Sequence, residues 1–310
     1  EIYKLSVEPI TCVHIGSGNK LNPLDYRLYE AKTKNGSKSI YAKYSSDKIL
    51  ERLIKEGDLK KIAEFERCSG SGNFKELQAF FHKSFTLDDL EYPCDITKEF
   101  SRRYSDKIAG DPMTNALEVM QLYRPEGSKR PVIPGSSLKG SARTAVLNYI
   151  LLSEMDDPNY ESLKSFADKE KEKDFRKNGA YASKIEKRAL EIQKDDNGND
   201  AQKDPFRCLE ISDAEFTAKE QLVGLVKNIS SDGQKGELKA IEKLQMIAEV
   251  VPGSLTNAYS PKAEANLRIN EGLQRDNPAI HKKISSISSI FITCRIYPKW
   301  RMLSICKNFS

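Results

Sequence analysis

The segment RPVIPGSSLKGSARTAVLNYILL, residues 130–152, leaves the backbone few options. Pro131 and Pro134 fix their own φ angles and push the residue before each away from the helical region, so 130–134 must run extended. Gly135 then permits a sharp turn, and Ser136 or Ser137 is suited to cap a helix. Leu138, Ala142, Val146 and Ile150 recur every four residues as the buried stripe of that helix. Lys139 and Arg143 have the same spacing, so they share a face beside the unpaired amides of the first turn. Those amides, two cations and the missing Cβ of Gly140 make a candidate phosphate site. An ordinary capped helix with surface cations fits the same residues.

Periodicity outlines the rest of the chain. IYKLSVEPITCVHI, 2–15, places Tyr3, Leu5 and Val7 opposite Lys4, Ser6 and Glu8, which predicts a half-buried strand ending in a flexible Gly16-Ser17-Gly18 turn. Asn35-Gly36 predicts a tight hairpin. From Asp47 the period becomes helical: Ile49, Leu50, Leu53 and Ile54 share a face, and Ile62 and Phe65 continue it. CSGSGN at 68–73 reads as a loop and FKELQAFFHK as a resumed helix, so 47–108 is predicted to be a mainly helical insertion. Residues 154–204 are dominated by Lys, Glu and Asp with sparse apolar anchors, the pattern of a solvated helix or a projecting arm. FRCLEIS (206–212) and FITCRIY (291–297) alternate as strands, while Leu238, Ile241, Leu244 and Ile247 predict an amphipathic helix over 236–251.

Few, widely spaced strands favour an α+β fold over a doubly wound sheet. The expected organisation is an N-terminal half over 1–153 carrying the 47–108 insertion, a charged helical insertion or arm over 154–204, and a C-terminal half over 205–310. With 310 residues, 38% of them hydrophobic, the chain has material for one large core or two modest ones.

Composition excludes several functions. The charge balance, 50 basic against 45 acidic side chains, suits an anionic partner without requiring one. Cys12, Cys68, Cys94, Cys208, Cys294 and Cys306 form no C-x-x-C pair, and His14, His82 and His281 are far apart, so no metal site and no cofactor are predicted. Reduced thiols point to the cytoplasm. No apolar run approaches the ~20 residues that span a bilayer, and EIYKLSVEPI lacks the apolar centre of a secretion signal, so no membrane partner is expected. The chain opens on Glu1, as a portion of a longer product would.

Two catalytic motifs fail on inspection. A P-loop needs G-x-x-x-x-G-K-[ST], but Gly140 is followed by Ser141 and Lys139 precedes the glycine. An esterase elbow needs G-x-S-x-G, but Lys139 stands where the second glycine belongs.

IPGSSLKG followed by a basic helix resembles instead the signature of the RAMP proteins, RNA-binding subunits of CRISPR–Cas effector complexes. CVHIGSG at 12–18 is similar to the strand and glycine turn that open these proteins. DPFRCLEISDAEF at 204–216 is similar to the strand after their first helix. The three segments cover a small part of the chain, but their order is specific to the family, and the long helical insertions look most like the subunit that caps the guide RNA in type III-A (Csm) complexes. One departure stands at the end, where SICKNFS follows YPKWRML in place of a second glycine-rich loop.

The resemblance implies a modified ferredoxin-like, RRM-related core, with duplication among its possible arrangements. It implies that His14, Gly16, Ser17 and Gly18 line a guide-RNA groove together with Gly135, Ser136, Ser137, Lys139, Gly140 and Arg143. Arg207 is a further RNA-binding candidate, against the alternative of a surface or ion-paired arginine. The implied role is non-catalytic: capping the crRNA 3′ region and aiding crRNA maturation. Its expected partners are crRNA, the backbone RAMP subunit, the small subunit, target RNA indirectly, and a separate host ribonuclease.

His14 is suited to stacking on a base or bonding a phosphate, or to packing at a strand end. Asp25, in NPLDYRLY, carries the rival reading: a metal-dependent RAMP endoribonuclease cleaving target or precursor RNA, since the related backbone subunit places a catalytic aspartate in a comparable region. An isolated carboxylate is more often a turn former. His14 as general base lacks an evident partner acid. A third reading makes the chain a protein-bridging adaptor, with the 47–108 insertion as contact surface. Trp300, with Tyr297, Lys299 and Arg301, is a candidate stacking group for a terminal nucleotide.

Overall fold

The computed structural model describes residues 2–33, 36–108, 115–153, 165, 168–169, 180–190, 204–216, 221–231, 238–254 and 261–270. In chain order these form β1 (Ile2–Val7), β2 (Gly16–Leu21), β3 (Tyr26–Thr33), β4 (Gly36–Tyr44), α1 (Ser46–Glu56), α2 (Leu59–Gly70), α3 (Phe74–Ser84), β5 (Leu90–Ile96) and α4 (Lys98–Lys107). There follow β6 (Val119–Leu122), β7 (Val132–Ile133), α5 (Gly135–Ser153), α6 (Ala180–Ala189), β8 (Leu209–Ile211), β9 (Ala214–Phe216), β10 (Leu222–Ser231), β11 (Leu238–Val250) and β12 (Ala263–Ile269). The expected α+β class holds. No helix among the described residues is long and apolar enough to cross a membrane.

The chain divides into two compact units: Glu1–Leu5, Pro134–Asp213 and Ala265–Ser310 make one, and Ser6–Ile133 with Ala214–Glu264 make the other. The second unit is built on a seven-stranded sheet in the order β2-β6-β11-β10-β5-β4-β3. Its core packs Tyr26, Tyr41, Tyr92, Phe100, Leu117, Val119, Val223 and Ile247, with Phe100 and Tyr104 supplied by α4. A satellite core under α1, α2 and α3 gathers Tyr44, Ile49, Leu53, Cys68, Phe80 and Phe81. β3 and β4 pair antiparallel as a hairpin with Thr33 opposite Gly36, so Gly36 begins β4 and is not part of the turn, and Asn35 lies outside the described residues.

In the first unit, α5 packs Ala142, Val146 and Leu147 onto Leu190, Phe206, Cys208, Leu209 and Leu267. Beneath it β8 pairs antiparallel with β12, Leu209 opposite Ile269 and Ile211 opposite Leu267.

Four expectations are corrected. Leu238–Val250 are a strand where an amphipathic helix is expected over 236–251: β11 pairs antiparallel with β10, but the register jumps from Lys227–Gln245 to Asn228–Ile241. That jump leaves residues 242–244 unmatched, an irregularity that only the pairing with β10 defines. Residues 206–212 are not one strand either, because Pro205–Cys208 form a 3₁₀ turn capped by Asp204, and only Leu209–Ile211 are extended. The helical insertion contains β5, whose Pro93 faces Ala42 of β4; β10 joins β5 only at Asp95 and Ile96, beyond the residue that lacks an N–H. Gly16-Ser17-Gly18 is no terminal turn but the start of β2, which pairs with β6 through an irregularity between Gly16 and Lys20. FITCRIY, Trp300 and its neighbours, His281, and most of the 154–204 arm lie outside the described residues.

Candidate nucleic-acid interface

The first unit presents the start of α5. The helix begins at Gly135, and the carbonyl of Pro134 accepts from Ser137 N at 2.9 Å and Leu138 N at 3.2 Å. Neither Ser136 nor Ser137 caps it, a correction to the sequence expectation: the prolines deliver the chain one residue earlier, leaving both serines exposed in the first turn. Gly135 N donates instead to the Asp213 carboxylate at 2.8 Å, so an internal anion already occupies part of the helix terminus. Gly135 is required by close approach, since a Cβ there would lie 2.0 Å from the Ile211 carbonyl oxygen.

From the first turn onward, one face of α5 is open. Ser136, Ser137, Gly140, Ser141 and Thr144 are exposed, and nothing stands within 4 Å of a Cβ built on Gly140. The Ser141 and Thr144 hydroxyls donate to the carbonyls four residues back, at 3.0 and 3.1 Å, which keeps this face small.

The two cations that spacing places together have different surroundings. Arg143 Nη1 donates to both Asp204 oxygens at 2.9 and 2.7 Å, its Nε donates to Glu186 of α6, and its guanidinium lies 5.1 Å from the Phe206 ring centroid. Burial works against its charge, but the two carboxylates outweigh it and hold its pKa above the ordinary value. Lys139 is half-buried and has no ion-pair partner among the described residues. Burial raises the pKa of the Cys208 thiol, and the charges of Arg207 and Lys139 both oppose that shift. The 3₁₀ turn packs Phe206 and Cys208 against α5 and leaves Arg207 exposed between them.

The second unit presents β2, an edge strand. His14 is exposed, and its Nδ1 lies 2.7 Å from the Glu249 carbonyl oxygen. Ser17 Oγ donates to Gln121, to the backbone carbonyl and to Oε1, each at 3.4 Å, and accepts from Asn19 N at 3.1 Å. Gly18 has φ +86°, a conformation that keeps this bulged strand closed to other residue types.

Behind the strip lies a buried polar network. Glu249 is fully buried; its carboxylate accepts from Tyr92 Oη at 2.8 Å, Leu122 N at 2.9 Å and Arg124 Nη1 at 2.8 Å. Arg124 stacks 3.8 Å from the Tyr92 ring centroid and donates to Gln221. Gln121 Nε2 donates to Tyr92 Oη at 3.0 Å, linking the network to Ser17. Sequence reasoning missed it. The available signal was a lone carboxylate inside the apolar run MIAEVV, because an acid amid buried strand residues needs a partner.

Asp25 sits in a turn, where its carboxylate accepts from Asn22 N at 2.9 Å and its own N–H donates to Asn22 O at 2.8 Å. Among the described residues, no group of three or more His, Cys, Asp or Glu side chains is arranged to hold a metal.

The family model for the RAMP superfamily matches residues 6–299. The chain belongs to the RAMP superfamily. The RAMP core that the sequence resemblance implied is therefore its own. The crystal structure of T. onnurineus Csm5 is similar to this RAMP at 19% identity, covering 87% of this chain and 69% of that one, with a TM-score of 0.49. No curated protein matches it. In this RAMP, the signature segment IPGSSLKG holds the last residue of β7 and the start of α5, and CVHIGSG forms the approach to β2 and its start.

Proposed function

We propose that this RAMP is a non-catalytic RNA-binding subunit of a type III-A (Csm) interference complex, which works in the cytoplasm, caps the crRNA 3′ region and aids crRNA maturation. The observation that carries the reading is the uncovered small-residue face of α5, with Lys139 on the same helix and exposed Arg207 on the 3₁₀ turn that packs against it. Such a surface suits a sugar-phosphate backbone: cations and hydroxyls contact phosphates, and phosphate contacts position a strand without reading its bases. A guide-capping subunit must accept any spacer sequence, so a base-blind grip is what the role demands. Arg143 contributes by shaping the helix through Glu186 and Asp204, and the His14–Gly18 strip supplies a second contact. The three-helix insertion α1–α3 offers a surface for the backbone RAMP subunit and the small subunit. In this role the protein terminates the filament of backbone subunits and, by recruiting or limiting a separate ribonuclease, sets the guide's mature 3′ end.

Filter-binding titrations of unrelated guide RNAs at several salt concentrations test the reading. Lys139→Ala combined with Arg143→Ala is expected to weaken every guide similarly and to flatten the salt dependence. Unchanged binding contradicts it. Asp25 has a turn role that accounts for its carboxylate; RNA cleavage in Mg²⁺ that disappears in Asp25→Ala would replace the binding role with a nuclease.

A further inference from the structure

We propose that His14 reads the sugar: its Nε2 accepts a hydrogen bond from a ribose 2′-hydroxyl and thereby selects RNA over DNA, with Gly16 keeping that nitrogen uncovered. The proposal rests on the RNA-binding reading above and assigns that reading's sugar specificity to one atom.

His14 Nδ1 lies 2.7 Å from the Glu249 carbonyl oxygen, and a carbonyl only accepts, so Nδ1 carries the proton. In the neutral ring, Nε2 then holds a lone pair and is an acceptor. The carbonyl that sets this choice is itself fixed. The Glu249 side chain is held by Tyr92, Leu122 and Arg124, and beside the contact Val13 and Val251 exchange two backbone hydrogen bonds of 2.9 Å.

Next comes access. A Cβ built on Gly16 would lie 3.1 Å from His14 Nε2, while one on Gly18 meets nothing within 4 Å. A side chain at position 16 would therefore crowd the lone pair, and glycine leaves it open to a strand lying along β2.

The last step matches the acceptor to a donor. Phosphate oxygens only accept, so they do not complement a neutral Nε2. Base edges offer donors, but which atoms donate changes with sequence. The one donor repeated at every nucleotide whatever the base is the 2′-hydroxyl, and DNA lacks it.

The test uses the full chain and one guide sequence in four forms: RNA, DNA, and RNA carrying 2′-deoxy or 2′-O-methyl sugars throughout. Wild-type protein is expected to prefer RNA over the other three. His14→Phe, which keeps a ring but no acceptor, and Gly16→Ala, which covers the nitrogen, should each cut that preference about five-fold, the worth of one neutral hydrogen bond. His14→Gln, whose amide oxygen reaches towards the position of Nε2, should restore part of it. Long-range ¹H–¹⁵N spectra of the free protein should show the Nδ1-protonated tautomer. A wild-type chain that binds none of the four forms overturns the RNA reading and this proposal with it. RNA binding that persists with an unmoved sugar preference in both variants, or an Nε2-protonated ring, overturns this proposal alone.

Discussion

Arg143 and Asp204 are joined by two hydrogen bonds from one guanidinium nitrogen, at 2.9 and 2.7 Å. The charge is thereby balanced inside the protein, and its contribution to an external anion is shared with two carboxylates. Lys139 has no such partner among the described residues. Single substitutions should separate the two. Lys139→Ala should lower the slope of log affinity against log salt by about one with an unchanged melting temperature. Arg143→Ala should cost about 1–3 kcal/mol of unfolding free energy in urea, because it strands Glu186 and Asp204, and should move the slope less.

Two glycines five residues apart should behave oppositely. Gly135→Ala pushes a methyl into the Ile211 carbonyl, 2.0 Å from its oxygen, and should destabilise the chain by about 3 kcal/mol or more in denaturant titrations. Gly140→Ala enters open space on a helix, where alanine is favoured over glycine by about 1 kcal/mol. It should leave the fold as stable or more so, while weakening RNA binding by keeping a ligand backbone at a distance.

The Arg124–Glu249 pair is buried at both ends, with side-chain exposures of 6% and 0%. Removing one member leaves the other charge without compensation. Glu249→Leu should cost about 3–5 kcal/mol, read from the urea midpoint, and the double variant Glu249→Leu with Arg124→Met should recover a substantial part. Recovery would assign the cost to the orphaned charge; equal losses in single and double variants would assign it to the surrounding hydrogen bonds.

His82 supplies a pH dependence. Burial pushes its pKa down to about 4, helped by Arg27 and resisted by the hydrogen bond of its Nε2 with the Tyr26 carbonyl. The unfolded chain titrates this ring near the usual ~6.5, so between those values it binds more protons than the folded chain. The stability His82 confers is present above about pH 6.5 and is lost as pH falls towards 4. Between pH 8 and pH 5 the loss should be on the order of 2 kcal/mol, and His82→Gln should flatten that part of the curve.

Local rules made much of the fold legible. The pairing of β3 with β4, the break between α2 and α3, which starts at Ser71 and not at Cys68, and the packing of Ala142 and Val146 along α5 each depend on residues a few positions apart. Misreadings arose where a distant partner decided the outcome. β11 carries apolar residues three apart, and only its pairing with β10 makes it a strand. β5 was hidden between helices and by Pro93, harmless there because the second neighbour strand joins later. In the candidate site, Lys139, Gly140 and the exposed serines could be named from the motif alone. The partners of Arg143 lie 43 and 61 residues away, and Asp213 lies 78 residues from Gly135, separations at which no spacing rule operates.

The missing side chain at position 135 also governs mechanics. Where α5 starts, helix and strand meet main chain to main chain, with no rotatable group between them to absorb a displacement. The turn that carries Ser136 and Ser137 therefore cannot rock without bending β8 itself. A ligand settling there meets a stiff anvil whose ordering entropy was spent during folding, so little remains to be lost on docking.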